Sequence, residues 1–159
     1  VSPEANDAQL VPIAATRWLP PRFFWLFLAL GVAAHFALGG PLLLRSFAFG
    51  VALLSAGVGL AFWGAREFAS EGATILPTER STRLVVSGPF RYSRNPMYLG
   101  FVVALTGAAL LLGTPGPWLA PVAMALLLRF RFIANEERAL TASLGTAYLA
   151  YRRRVRRWL

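Results

Sequence analysis

Long apolar stretches separated by short polar ones dominate the chain. Residues 23–40 run without a charge, followed by a turn at Gly39-Gly40-Pro41 and a second apolar run over 47–64. Each has about the length that crosses a bilayer core as a helix. Residues 66–96 form the largest polar segment, carrying five arginines, three glutamates and several turn residues. A third apolar run covers 98–112, extended if it begins at Pro96, and the uncharged turn 113–117 joins it to a fourth over 118–133. The last two runs and their turn predict a helical hairpin. From Asn135 onward the period changes: Leu140, Leu144, Tyr148 and Tyr151 fall on one stripe of a 3.6-residue repeat, predicting an amphipathic helix. The fold class is therefore all-α and integral to a membrane, with about four transmembrane helices and a cytosolic amphipathic helix. Residues 1–21 read as a loose lead-in and 22–159 as a single domain. A cleaved signal is the rival reading of the first run. No A-x-A-like site follows it, however, and another apolar block begins almost at once.

Composition supports lipid as the solvent. Hydrophobic residues make up 57% of the 159 and charged ones 14%, too few to cover a soluble surface of this size. The net charge of +9 comes from arginine alone, as the chain has no lysine. These arginines flank apolar blocks and do not form a basic helix, a distribution suited to membrane phosphates and not to nucleic acid. With four spans, fifteen of the sixteen arginines lie on one side and Arg45 alone on the other. By the positive-inside rule both termini and the long polar segment face the cytosol. The tail, residues 152–159, joins five arginines to Trp158 and suits anionic headgroups. Without cysteine there are no disulfides or thiolate sites. The lone His35 lies in an apolar run and reads as a helix-packing residue. Ser55 with Gly59, and Gly100 with Ala104 and Ala108, have the four-residue spacing of close helix contacts.

Two polar clusters could carry chemistry. The first, residues 87–98, leads into the third span; there Asn95 is a good N-cap and Pro96 suits the first helical position. Open N–H groups beyond them favour an anionic ligand group. The second is Asn135-Glu136-Glu137-Arg138, past the end of the fourth span, where adjacent carboxylates near hydrocarbon need a partner. Glu136 suits a sugar hydroxyl or an arginine; the plainer reading pairs both glutamates with Arg138, Arg94 or Arg131. The hairpin brings the two clusters to the same membrane face.

The run from Leu84 to Gly100, containing Arg94-Asn95-Pro96-Met97-Tyr98-Leu99-Gly100, resembles the R-[HN]-P-x-Y-x-G signature of isoprenylcysteine carboxyl methyltransferase-like membrane proteins, a group related to phospholipid methyltransferases. Glu136, Glu137, Leu140, Gly145, Tyr148 and Tyr151 resemble the same family's C-terminal motif. Together the two cover a core of about 66–157. The resemblance implies a multi-pass methyltransferase of a bacterial or archaeal-type cytoplasmic membrane. It would use S-adenosylmethionine, held in a cytosol-facing pocket and not on a Rossmann sheet. Carried over position by position, Leu84, Val85, Phe90, Asn95, Pro96, Met97, Tyr98 and Glu136 would hold the cofactor. Tyr98, Glu136 and Arg131 would be the catalytic candidates.

Three positions depart from the prenylcysteine enzymes. Asn95 replaces histidine, as in bacterial-type relatives, and Phe90 replaces tyrosine. Phe132, with Arg131 beside it, stands where those enzymes carry the arginine that engages the substrate carboxylate. The acceptor is thus left as a lipophilic or small membrane-accessible molecule bearing a carboxylate, thiol or amine. Membrane lipids are the other partner, and no metal site is expected. Two other readings remain at this level: a nicotinamide-dependent reductase related to sterol reductases, and a non-catalytic membrane scaffold.

Overall fold

The computed structural model describes residues 20–71 and 84–159; most of the lead-in and the middle of the polar segment lie outside them. Among the described residues the chain is helical, without a strand. Helix α1 covers Pro20–Leu38, α2 Phe47–Ser70, α3 Pro96–Leu112, α4 Leu119–Leu127 and α5 Ala134–Arg154. Single 3-10 turns precede α3 (Gly88–Arg91) and α4 (Gly116–Trp118), and the π-helical stretch Leu128–Ile133 fuses α4 to α5. Helix α1, helix α2 and the continuous stretch Gly116–Arg154 are long and apolar enough to cross a membrane, and α3 is a shorter apolar helix. Large side chains on α1 and α2, among them Trp25, Phe36, Phe47, Phe49 and Phe62, are exposed. Such a surface calls for an apolar surrounding, as lipid provides.

Helix α3 is the central element. On one side it packs against α2 through glycines seven residues apart: Gly50, Gly57 and Gly64 on α2 face Gly107, Gly100 and Met97. A Cβ at Gly57 would lie 2.4 Å from the Ala104 nitrogen, so the two backbones touch directly. This corrects the expected small-residue contact on α2. Gly59 has open space around it and Ser55 is exposed, whereas Gly100 and Ala104 do lie in the interface. On its other side α3 meets α1 and α4 around Phe24, Leu105, Met124, Leu128, Phe132 and Ile133. The expected hairpin of α3 and α4 is present, and the closer pairing is α2 with α3.

The hairpin turn is closed by side-chain and backbone bonds. Gly113 ends α3 at φ 78°, and its carbonyl accepts from the Leu43 N–H at 3.0 Å. His35 Nδ1 lies 2.8 Å from the hydroxyl of the buried Thr114, joining α1 to the same turn. The lone histidine is a packing residue, as its apolar setting suggested. Helix α5 is not one straight amphipathic helix. Gly145, at φ 49° and ψ −122°, breaks it in a conformation open only to glycine. The break leaves Tyr148 and Tyr151 buried, whereas Leu140 and Leu144 are half-buried.

Candidate active site

The entry to α3 and the start of α5 meet, as the hairpin requires. The Tyr98 hydroxyl donates to Glu136 Oε1 at 2.5 Å, across 38 residues of chain. Tyr98 sits in the first turn of α3, directed there by the Pro96 start. Glu136 sits in the first turn of α5, immediately after the π-helical stretch. One residue wider than an α-turn, that stretch changes which side chains face the bundle. Phe132 and Ile133 are buried there while Arg129, Phe130 and Arg131 are exposed. Arg129 and Arg131 lie at the end of the apolar run 118–133, and Glu136 stands beyond it in sequence. Burial raises the Glu136 carboxyl to about 7; the bond from Tyr98 opposes that rise and the adjacent Glu137 charge adds to it. Among the described residues none bonds to Glu136 Oε2.

Glu137 does different work from its neighbour. Its Oε1 lies 2.8 Å from Arg94 Nη1, and Arg157 grips both oxygens, Nε at 3.0 Å and Nη2 at 2.6 Å. The glutamates therefore divide: Glu136 goes to Tyr98, Glu137 to Arg94 and Arg157. The Arg94 guanidinium also donates to the Tyr148 hydroxyl at 3.2 Å, while its buried Nε has no partner among the described residues. The Glu137 bond holds the Arg157 charge in place and raises its pKa. Burial raises the Tyr148 phenol, and pushes Tyr151 up to about 12, against the nearby Arg94 charge. Both phenols are thus neutral in the physiological range: the Tyr148 hydroxyl accepts from Arg94, and the Tyr151 hydroxyl donates to the Phe90 carbonyl at 2.7 Å.

Asn95 occupies the N-cap position of α3, yet its side chain makes no cap bond, which corrects the expected role. Its Nδ2 donates instead to the Arg157 carbonyl at 2.9 Å, and its own N–H donates to Ser93 Oγ at 3.1 Å. Among the described residues no side chain caps the first N–H groups of α3. The tail returns alongside the loop: the Arg94 N–H donates to the Arg156 carbonyl at 2.9 Å, in a parallel bridge between Ser93 and Arg156. Trp158 packs against the core. Residues 155–158 thus lie against the loop before α3, and Arg152, Arg153, Arg154 and Arg156 are exposed.

The other positions taken from the resemblance are distributed around this centre. Pro96 is buried, and Met97 fills the hollow over Gly64. Phe90 is buried edge-on against Phe68 of α2, at 5.2 Å between ring centres. Val85 is buried and Leu84 half-buried in the segment leading to Gly88. Gly88 takes φ 53° where Glu67 crosses it; a Cβ there would lie 2.8 Å from the Glu67 carboxyl carbon. Arg131 is exposed, and the Asn135 amide donates to its carbonyl at 2.7 Å. Phe132, where the resemblance would place a substrate-binding arginine, is buried edge-on against Phe23 of α1 at 5.7 Å. Sequence reasoning left Arg157, Phe68 and Glu67 unassigned. Only the arginine-rich end of the chain hinted at the first, and nothing local signalled the other two.

A helical bundle suited to a membrane thus brings Tyr98 and Glu136 together at the start of its central helix. The chain belongs to the phospholipid methyltransferase family, whose model matches residues 45–147. It is therefore a membrane methyltransferase. The match takes in α2, α3, α4 and the first part of α5, and stops before the tail. An uncharacterized protein of Haemophilus influenzae is 36% identical over 63 residues, which are 40% of this chain and the whole of that protein. No solved structure matches the chain.

Proposed function

We propose that the protein transfers a methyl group from S-adenosylmethionine to a lipophilic acceptor that enters from the bilayer at the cytosolic face. The observation that carries this reading is the Tyr98–Glu136 pair at the uncapped start of α3. The residues present suit such a cofactor. Uncapped N–H groups favour its carboxylate, Glu136 Oε2 can accept from an ammonium or a ribose hydroxyl, and Val85 and Phe90 offer buried apolar surface to a base. Leu84, Asn95, Pro96 and Met97 would complete the holding set. When bound, S-adenosylmethionine supplies a methyl already activated by its sulfonium. The chain's own residues then align and shield the reacting groups.

Glu136 is suited to a second task. A carboxyl raised to about 7 is poised to take a proton at Oε2 from an amine or hydroxyl acceptor, with Tyr98 fixing its other oxygen. A carboxylate or thiolate acceptor needs no base. Because Phe132 replaces the carboxylate-binding arginine, Arg131 would have to swing in from the surface to engage an anionic acceptor. Purified protein in nanodiscs of extracted bacterial lipid, given methyl-tritiated S-adenosylmethionine, tests the reading. Label should enter the lipid fraction and should fall by about a hundredfold or more in Glu136→Ala. Label confined to the cofactor, in folded wild-type protein, would reject a lipid acceptor.

A further inference from the structure

We infer that residues 155–158 form a clasp that positions the site, with Glu137 and Arg157 as positioning residues. Resting on the methyltransferase reading above, this inference assigns a role to a segment beyond the family match. Three bonds tie the tail to the loop before α3: Arg94 N–H to the Arg156 carbonyl, Asn95 Nδ2 to the Arg157 carbonyl, and Ser93 Oγ to that same carbonyl at 3.4 Å. The Arg157 side chain turns the other way and holds both oxygens of Glu137. Arg157 therefore binds the loop through its backbone and α5 through its guanidinium.

Two consequences follow for the chemistry. Glu137 precedes no catalytic bond itself, but it adjoins Glu136 in sequence, and its partner Arg94 lies four residues before Tyr98. The Arg94–Glu137–Arg157 group thus fixes the separation of the two chain segments that must meet at the Tyr98–Glu136 bond. The Arg94–Glu137 pair is well shielded, its side chains 9% and 12% exposed, and resists screening by salt; Arg157, 33% exposed, is screened more. The clasp also draws the Asn95 amide away from the helix start. An asparagine released from Arg157 would be free to cap α3 and compete with an anionic ligand for the same N–H groups.

Full-length protein in nanodiscs, as wild type, Arg157→Ala, Glu137→Gln and Arg157→Lys, tests the clasp by two readouts. The first is hydrogen exchange of the 91–98 peptide without ligand. The second is the Kd for S-adenosylhomocysteine. Arg157→Ala and Glu137→Gln should each speed exchange and weaken binding by about tenfold, the scale of a lost charged hydrogen bond, with helical content unchanged. Arg157→Lys should restore most of both. Unchanged exchange in Arg157→Ala overturns the clasp. So does unchanged affinity alongside faster exchange, since the segment would then be held without serving the site. Should wild type bind no S-adenosylhomocysteine, the methyltransferase cofactor reading fails and the positioning role with it; exchange then reports only whether the tail is anchored. If Glu137→Gln does not fold, Arg157→Ala decides alone.

Discussion

At the residue scale, two adjacent glutamates have separate tasks because the helix points them to different partners. Glu136 meets a tyrosine in the bundle, and Glu137 meets two arginines at its edge. Glu136→Ala should therefore weaken adenosyl-cofactor binding more than Glu137→Ala, measured by calorimetry; equal, negligible effects would remove Glu136 from the site. The raised Glu136 pKa also makes stability depend on pH. The folded state keeps a proton on this carboxyl up to about 7, whereas its ordinary value is 4.5. Its contribution is therefore fully present below 4.5 and is lost as pH rises towards 7. Glu136→Gln, which cannot ionise, should flatten the fall in Tm of the ligand-free protein between pH 5 and pH 8. An unchanged slope would mean that Glu136 is not held protonated. The tyrosine, the glutamates and the helix-starting proline were all legible in the sequence, because motif spacing marks residue types. The partner of Asn95 was not: a local rule names a cap, and a carbonyl 62 residues away outcompetes it.

The helices themselves were legible to within a turn or so, since a long apolar run has few other stable states. Helix α2 runs six residues beyond its apolar stretch, to Ser70, because Phe68 still finds a ring to pack against in Phe90. Which face of α2 is buried was not legible. Small residues occur all round it, and only the neighbour decides between the four-residue pair Ser55/Gly59 and the seven-residue row Gly50/Gly57/Gly64. Gly57→Val should drive α2 from α3 and lower stability by roughly 1–3 kcal/mol, the usual scale of overpacking. Gly59→Val, with open space around it, should be tolerated. Denaturant titration in mixed micelles checks both, and equal loss in the two variants would contradict the observed packing. The π-helical stretch and the break at Gly145 also escaped the period analysis. Each changes helical phase by a local backbone departure that hydrophobic spacing averages out.

For the whole molecule, the surface divides into an apolar belt on α1 and α2 and an arginine-rich end where the site lies. Counted along the sequence with four spans, fifteen arginines fall on one side and Arg45 on the other; on that reading both termini should resist an external protease in intact cells and be digested once the membrane is opened. Cleavage of the tail from outside would overturn this orientation. The meeting of the two motifs was foreseeable from connectivity alone, because the ends of a hairpin share a face. The inward fold of the tail was not, since its arginines suit lipid phosphate equally well until Arg157 is seen on Glu137. On the proposed reading this end of the bundle binds an adenosyl sulfonium cofactor against Glu136. Calorimetric titration of the purified wild-type protein with S-adenosylmethionine, S-adenosylhomocysteine and NADPH tests it most directly. Micromolar binding of the two adenosyl compounds, lost in Glu136→Ala, and no heat from NADPH is the expected result. Binding of NADPH alone, or of none of the three by a folded protein, would contradict it.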